Sequence, residues 1–228
     1  MNEMDKIFWN IKNEATEPEL IIDGEIASYG WYGDEVTPKQ FKNDLNKLQG
    51  KDITVWVNSP GGDVFAGSCI YTMLKEHKGK VTVKIDGLAA SAASVIAMAG
   101  HVVQMSPTSM MMIHNPWTVA AGDIKELNTA RQRLEECKES IINAYALKTG
   151  ITRDELSKLM DDETWMSANT AIEKGFASEM LYTDNNSQKP QIFAKSIVFN
   201  SILNIKTENK DGASNIEILK LKSKLLSL

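Results

Sequence analysis

Residues 53–62, ITVWVNSPGG, decide how the rest of the chain is read. Ile53 to Val57 are all β-branched or aromatic, which is the composition of a strand. Ser59-Pro60-Gly61-Gly62 ends it at once, because proline cannot donate a ladder hydrogen bond and glycine opens turn conformations. A helix over about 63–77 follows. The next strand is expected at 81–86 (VTVKID). The small-residue stretch 87–100 reads as a tight turn entering a buried helix, and 102–105 and 109–114 as two further short strands.

Upstream, 20–27 (LIIDGEIA) reads as a first strand. Residues 37–49 read as a helix, with Phe41, Leu45 and Leu48 at helical spacing, Thr37 as N-cap and Pro38 at the first helical position. Downstream, 122–149 is one long amphipathic helix. Ile124, Leu127, Leu134, Ile141, Ile142, Tyr145 and Leu147 lie along one side, and Gly150 sits at its C′ position. A helix over 152–160 opens on a Thr152/Glu155 capping box. A last one covers about 168–174 and stops near Gly175. The repeated strand–helix order predicts an α/β domain with parallel pairing.

The composition is that of a soluble globular chain: 43% hydrophobic, 24% charged, net charge −5, with no basic stripe for nucleic acid. Cys69 and Cys137 form neither a disulfide framework nor a zinc motif. The start, MNEMDKIFWN, lacks the pattern of a secretion signal, and the longest apolar stretch, 88–100, is too short to span a bilayer. A cytoplasmic protein with no membrane partner is expected. Three parts are expected: a polar arm over 1–18, a domain over 19–184, and a linker with a tail over 185–228 that ends in the amphipathic IEILKLKSKLLSL.

Three histidines narrow the search for chemistry. His77 reads as a solvated cation at a helix C-terminus, and His101 as a surface loop residue. His114 ends the apolar run Met110–Ile113 and precedes Asn115-Pro116. That placement suits either a residue facing a cleft or a structural histidine. Ser91, in Gly87-Leu-Ala-Ala-Ser91-Ala-Ala93, lies where a strand turns into a helix. There the unpaired amides of the first turn point outward and no bulky neighbour blocks approach. It reads equally as a nucleophile or as a helix N-cap. Ser94 reads as a packing residue. The glycines of 58–62 let backbone amides approach an oxyanion, although an isolated SPGG is also a plain turn.

Taken together, Asn58-Ser-Pro-Gly-Gly62, Gly87-Leu-Ala-Ala-Ser91 and Met112-Ile-His114-Asn-Pro116 resemble the proteolytic subunit of the Clp protease family in order and spacing. The likeness extends from about 20 to 184. It includes Ala146-Leu-Lys-Thr-Gly150 and Trp165-Met-Ser-Ala168 with Glu173-Lys-Gly175. It implies a Clp-protease- and crotonase-like spiral of ββα units with a protruding handle helix over about 122–150, and a serine endopeptidase that needs no metal or organic cofactor. Ser91 matches the nucleophile, His114 the base, and Gly62 and Ala92 the donors of the oxyanion hole. Gly61, Pro116, Trp117, Thr118 and Val119 match the substrate-binding segments. The acid is Glu163 by position, with Asp162 as the alternative and Asp161 beside it.

The same resemblance implies polypeptide substrates and stacked rings of identical subunits, seven per ring being one size. A Clp-type ATPase is a candidate partner. Residues 1–18 and the added tail depart from the usual pattern, and with Glu163-Thr-Trp165 they look more like proteases of phage head assembly, whose partners are capsid and scaffold proteins. A decayed assembly scaffold and an acyl-CoA enzyme of the crotonase superfamily are the rival readings.

Overall fold

The computed structural model describes residues 18–30 and 35–182. The expected arm falls outside them except for Pro18, and the expected linker and tail fall wholly outside. Seven strands make one sheet: β1 (Glu19–Asp23), β2 (Ile53–Ser59), β3 (Val81–Ala90), β4 (Val102–Met105), β5 (Met110–Ile113), β6 (Thr164–Ser167) and β7 (Glu179–Met180). The order β1-β2-β3-β4-β7 is parallel throughout, while β5 pairs with β3 in parallel and with β6 antiparallel.

Parallel neighbours require crossovers, and the helices supply them. These are α1 (Pro38–Lys47), α2 (Val64–Glu76), α3 (Ala92–Ala97), α4 (Ile124–Thr149), α5 (Arg153–Asp161) and α6 (Ala168–Glu173). Val55, Val57, Val81, Val83 and Ile85 are fully buried in the sheet, and Ile70, Leu74 and Ile96 pack on it from the helices. This is a mixed α/β fold dominated by parallel pairing. Among the described residues no helix is long and apolar enough to cross a membrane.

The caps explain most boundaries. Thr37 accepts from the Gln40 amide, with Pro38 as first helical residue. Asp63 accepts from the amides of Phe65 and Ala66 and starts α2. Asp123 and Glu126 form a capping box on α4, and Gly150 closes it in the left-handed conformation at φ 73°. Thr152 accepts from the Glu155 amide at the start of α5.

Three expectations change. The strand expected at 81–86 runs on to Ala90, because β3 exchanges neighbours along its length. Thr82–Ile85 pair with β4, and Leu88–Ala90 pair with β5. What reads as a turn is therefore sheet. β6 and β7 add to the expected strands, since four and two residues carry too little pattern to register. The apolar side of α4 is not one buried face: Ile141, Ile142 and Tyr145 are buried, whereas Ile124, Leu127 and Leu147 are exposed. Only the C-terminal part of that helix meets the core.

Candidate active site

β3 delivers Ser91 directly from its last paired residue, and α3 begins at Ala92. The junction is a sharp one. Ser91 has φ 53° and ψ −125°, a conformation that costs an L-residue on the order of 1–3 kcal/mol and persists only where its surroundings enforce it. Two contacts do so. The Ser91 amide donates to Met112 O of β5 at 3.0 Å. Its carbonyl accepts from the Ser94 hydroxyl at 2.6 Å and from the Ser94 amide at 3.0 Å. The Ser91 hydroxyl makes no capping bond to α3. It faces His114 instead, with Nε2 2.8 Å from Oγ.

His114 stands one residue beyond the end of β5. Two parallel partners, β3 and β5, thus bring residues 23 apart in sequence into hydrogen-bonding contact. The other histidines lie elsewhere. His77 Nε2 is 2.7 Å from the Lys51 carbonyl, and the exposed His101 accepts the Val81 amide at Nδ1.

The glycine pair packs beside the serine. A Cβ on Gly61 would lie 2.7 Å from Ser91 Cβ and 2.6 Å from the Ala90 carbonyl oxygen, so only glycine permits this approach. Gly62, at φ 141°, is bridged to Ile26 through its neighbours: Ile26 donates to the Gly61 carbonyl and Asp63 donates to the Ile26 carbonyl. The Gly62 amide itself has no acceptor among the described residues. The amide of Ala92, at the start of α3, has no intrahelical acceptor either.

A recess opens next to Ser91 and His114. Val64, Val95, Ile141 and Tyr145 make its apolar wall, with Ser68 and Pro116 also lining it. Tyr145 is buried and packs edge-on to Phe176, with ring centroids 5.5 Å apart. Its hydroxyl is 2.8 Å from Ser94 Oγ. Ser94 gives its one proton to the Ser91 carbonyl, so Tyr145 is the donor of this pair. Burial pushes the Tyr145 phenol far above its ordinary value, with the Ser94 bond opposing weakly, so the donor stays protonated. Ser94 is therefore a packing residue, as expected, and also a link from α4 to the backbone of Ser91. Tyr145→Phe should lower stability by about 1 kcal/mol, the worth of one buried hydrogen bond. A shift in the urea midpoint at unchanged slope reads it.

Trp117, Thr118 and Val119 follow Pro116 in an exposed segment that, among the described residues, pairs with no strand. The acid is placed less tightly. Glu163 is a turn residue that adjoins Thr164, whose partner in the antiparallel β5–β6 ladder is Ile113, the neighbour of His114. Its φ is +46°. Its carboxylate accepts from Trp165 Nε1 at 3.1 Å and not from the imidazole. Asp162 is the C-cap of α5. Asp161 accepts from Asn115 Nδ2 at 2.7 Å and from Lys138 Nζ at 2.6 Å. Among the described residues no carboxylate bonds His114. The recess residues on α2, α3 and α4, and the Asn115–Asp161–Lys138 cluster, escape a reading of the sequence. Nothing in their spacing announces that separate helices converge there.

The Clp protease family model matches residues 39–184, more than half of the chain. An ATP-dependent Clp protease proteolytic subunit 1 from Chlamydia muridarum is 30% identical over 167 residues, covering 68% of this chain and 87% of that protein. The subunit 1 of Chlamydia pneumoniae is 31% identical over 179 residues, 73% of this chain and 94% of its own length. A proteolytic subunit from Bacteroides fragilis is 34% identical over 134 residues, 58% of this chain and 65% of that protein. On the extent of that match and on relatives of this identity, the chain belongs to the Clp protease family and is a serine endopeptidase.

Proposed function

We propose that the chain hydrolyses peptide bonds with Ser91 as nucleophile and His114 as general base. The contact of 2.8 Å between His114 Nε2 and Ser91 Oγ, at a strained strand–helix junction beside two glycines, carries the reading. In the first step Ser91 Oγ attacks the scissile carbonyl carbon as Nε2 takes its proton. The amides of Gly62 and Ala92 stabilise the resulting oxyanion. The imidazolium then protonates the leaving amine. Water, deprotonated by the same nitrogen, adds to the acyl carbon, and the imidazolium returns that proton to Ser91 Oγ as the acid product leaves.

The substrate segment lies along Trp117–Val119 as an added strand. The apolar wall of Val64, Val95, Ile141 and Tyr145 beside Ser91 favours an apolar substrate residue next to the scissile bond. Glu163 is the acid of this scheme. It adjoins Thr164, which pairs with Ile113 next to His114, and exchange of its carboxylate from Trp165 to Nδ1 orients the imidazole. Glu163→Ala should lower kcat by about 10³–10⁴-fold, and Asp162→Ala should leave it near wild type. The reverse order would move the role to Asp162.

Within this reading the subunits stack as rings, with α4 as the handle between them, and act in the cytoplasm. Exposed Ile124 and Leu127 on α4 support the first point, and the unpaired cysteines suit the second. The setting is processing of capsid and scaffold proteins in phage head maturation, supported by Glu163-Thr-Trp165 in the acid segment. The relatives are named ATP-dependent, which favours a Clp-type ATPase as the second setting. Turnover of a folded capsid precursor with and without such an ATPase and ATP separates the two. The catalytic assignment is tested by a fluorophosphonate probe followed by mass mapping. Modification at Ser91 is expected, and modification elsewhere or none at all overturns it.

A further inference from the structure

We infer that Asp161 and Lys138 form a positioning clamp on the segment that carries His114, gripping it through the side chain of Asn115. This rests on the proposed role of His114.

The observations begin with what the segment lacks. β5 ends at Ile113, and residues 114–120 belong to no strand or helix. Pro116, two residues on, has no amide to donate. The side chain of Asn115 supplies the missing tether. Its Nδ2 donates to Asp161 Oδ1 at 2.7 Å, and Lys138 Nζ donates to the same oxygen at 2.6 Å. Two elements distant in sequence, α4 and the end of α5, thus converge on the residue next to His114.

Helix stability does not account for Asp161. It is the last residue of α5, where the negative end of the helix dipole disfavours a carboxylate, and Asp162 and Glu163 follow it. An ordinary exposed ion pair contributes little. This one differs in that the Lys138 side chain is only 20% exposed, although Asp161 is 53% exposed. Hydrogen bonds from Asn115 and then Lys138 hold the Asp161 carboxyl below its ordinary range, so it is an anion at neutral pH.

Asn115 is also held at a cost. Its Oδ1 is buried and has no hydrogen-bond partner among the described residues. A buried acceptor left unpaired is unfavourable, and a free amide would turn or move outward to satisfy it. Turning would place Oδ1 against the Asp161 carboxylate, which repels it. The carboxylate therefore fixes which way Asn115 faces, and with it the backbone that carries the imidazole. Neither Asp161 nor Lys138 touches the reacting atoms in the proposed mechanism, so both act through Asn115.

The test compares Asp161→Asn, Lys138→Met, the double variant and Lys138→Arg in the full chain. Each of the first two should lower kcat about ten- to hundredfold at nearly constant KM, the scale of a slight misplacement of a reacting group. The double variant should be no worse than the poorer single one, because both remove the same constraint. Lys138→Arg, which keeps the charge and the reach, should recover most of the loss. Wild-type kcat in either single variant, or no recovery with arginine, overturns the clamp.

A second reading does not depend on turnover. With three histidines in the chain, the His114 ring resonance is assignable by comparison with His114→Gln. It should shift or broaden in Asp161→Asn and Lys138→Met and return in Lys138→Arg. An unchanged resonance in all variants overturns the clamp. If the wild-type chain does not react with a fluorophosphonate at Ser91, the proposed mechanism fails, and the resonance still decides whether the clamp exists.

Discussion

Ser91→Ala should leave a folded protein whose peptide turnover has fallen by about 10⁴- to 10⁶-fold, and His114→Ala should fall nearly as far. The two losses should not be additive, since the proposed mechanism uses the hydroxyl and the imidazole as one unit across 2.8 Å. Alanine at 91 removes the attacking oxygen and little else. The Ser91 amide and carbonyl keep their bonds to Met112 and Ser94, which hold the junction in place. Folding is therefore expected to survive, and circular dichroism together with native mass should match wild type. Turnover within a factor of about ten of wild type in either variant would end the assignment, because the remaining oxyanion donors supply only the residual rate.

The second large effect is expected at Gly62. A Cβ there would sit 2.1 Å from the Ile26 carbonyl oxygen and 3.0 Å from both its carbon and the Ile26 nitrogen. These are backbone atoms of a buried bridge, so no side chain can swing aside. The φ of 141° adds strain for any L-residue. Gly62→Ala must therefore displace the segment and carry the Gly62 amide away from the place of the oxyanion. Loss of one such donor costs about 10²–10³-fold in kcat. Gly61→Ala strikes differently, since its Cβ would meet Ser91 Cβ at 2.7 Å and push the proposed nucleophile itself. Steady-state kinetics with a fluorogenic peptide checks both. Normal kcat in Gly62→Ala would remove that amide from the mechanism.

Long elements with strong ends are legible in the sequence. Thr37-Pro38 marks the start of α1, and Gly150 marks the end of α4, because each has a local physical reason to be there. The strand at 53–59 is legible from its β-branched run. The small-residue segment 87–90 is not, because alanine and glycine favour no strand on their own. It becomes one through pairing with Met110–Met112 and with Ser59, long-range events. β6, only four residues long, is too short to carry a pattern.

For the candidate site, the residues that stand out are those of unusual type in unusual company: a histidine after an apolar run, a serine among alanines, a glycine pair after a strand. Their meeting depends on β3 pairing first with β4 and then with β5 along its length, which no local pattern encodes. Tyr145 and Lys138 look like ordinary residues of a long helix. Their links to Ser94 and Asp161 exist only once α4 has docked on α3 and α5.

The long helix has one more consequence. Its first buried residue is Ile141, and Lys138 and Glu139 are bonded to Asp161 and Arg153 of α5. The stretch before them, Ile124 to Cys137, is about 21 Å of helix in which no side chain is fully buried among the described residues. A capping box and the Arg131–Glu135 pair steady it from within, and such a stretch frays readily in water. Amide deuterium uptake there should be rapid for a separate subunit, and should slow by orders of magnitude wherever another surface covers it. The helix carries a built-in gauge of association, readable peptide by peptide without any measure of catalysis.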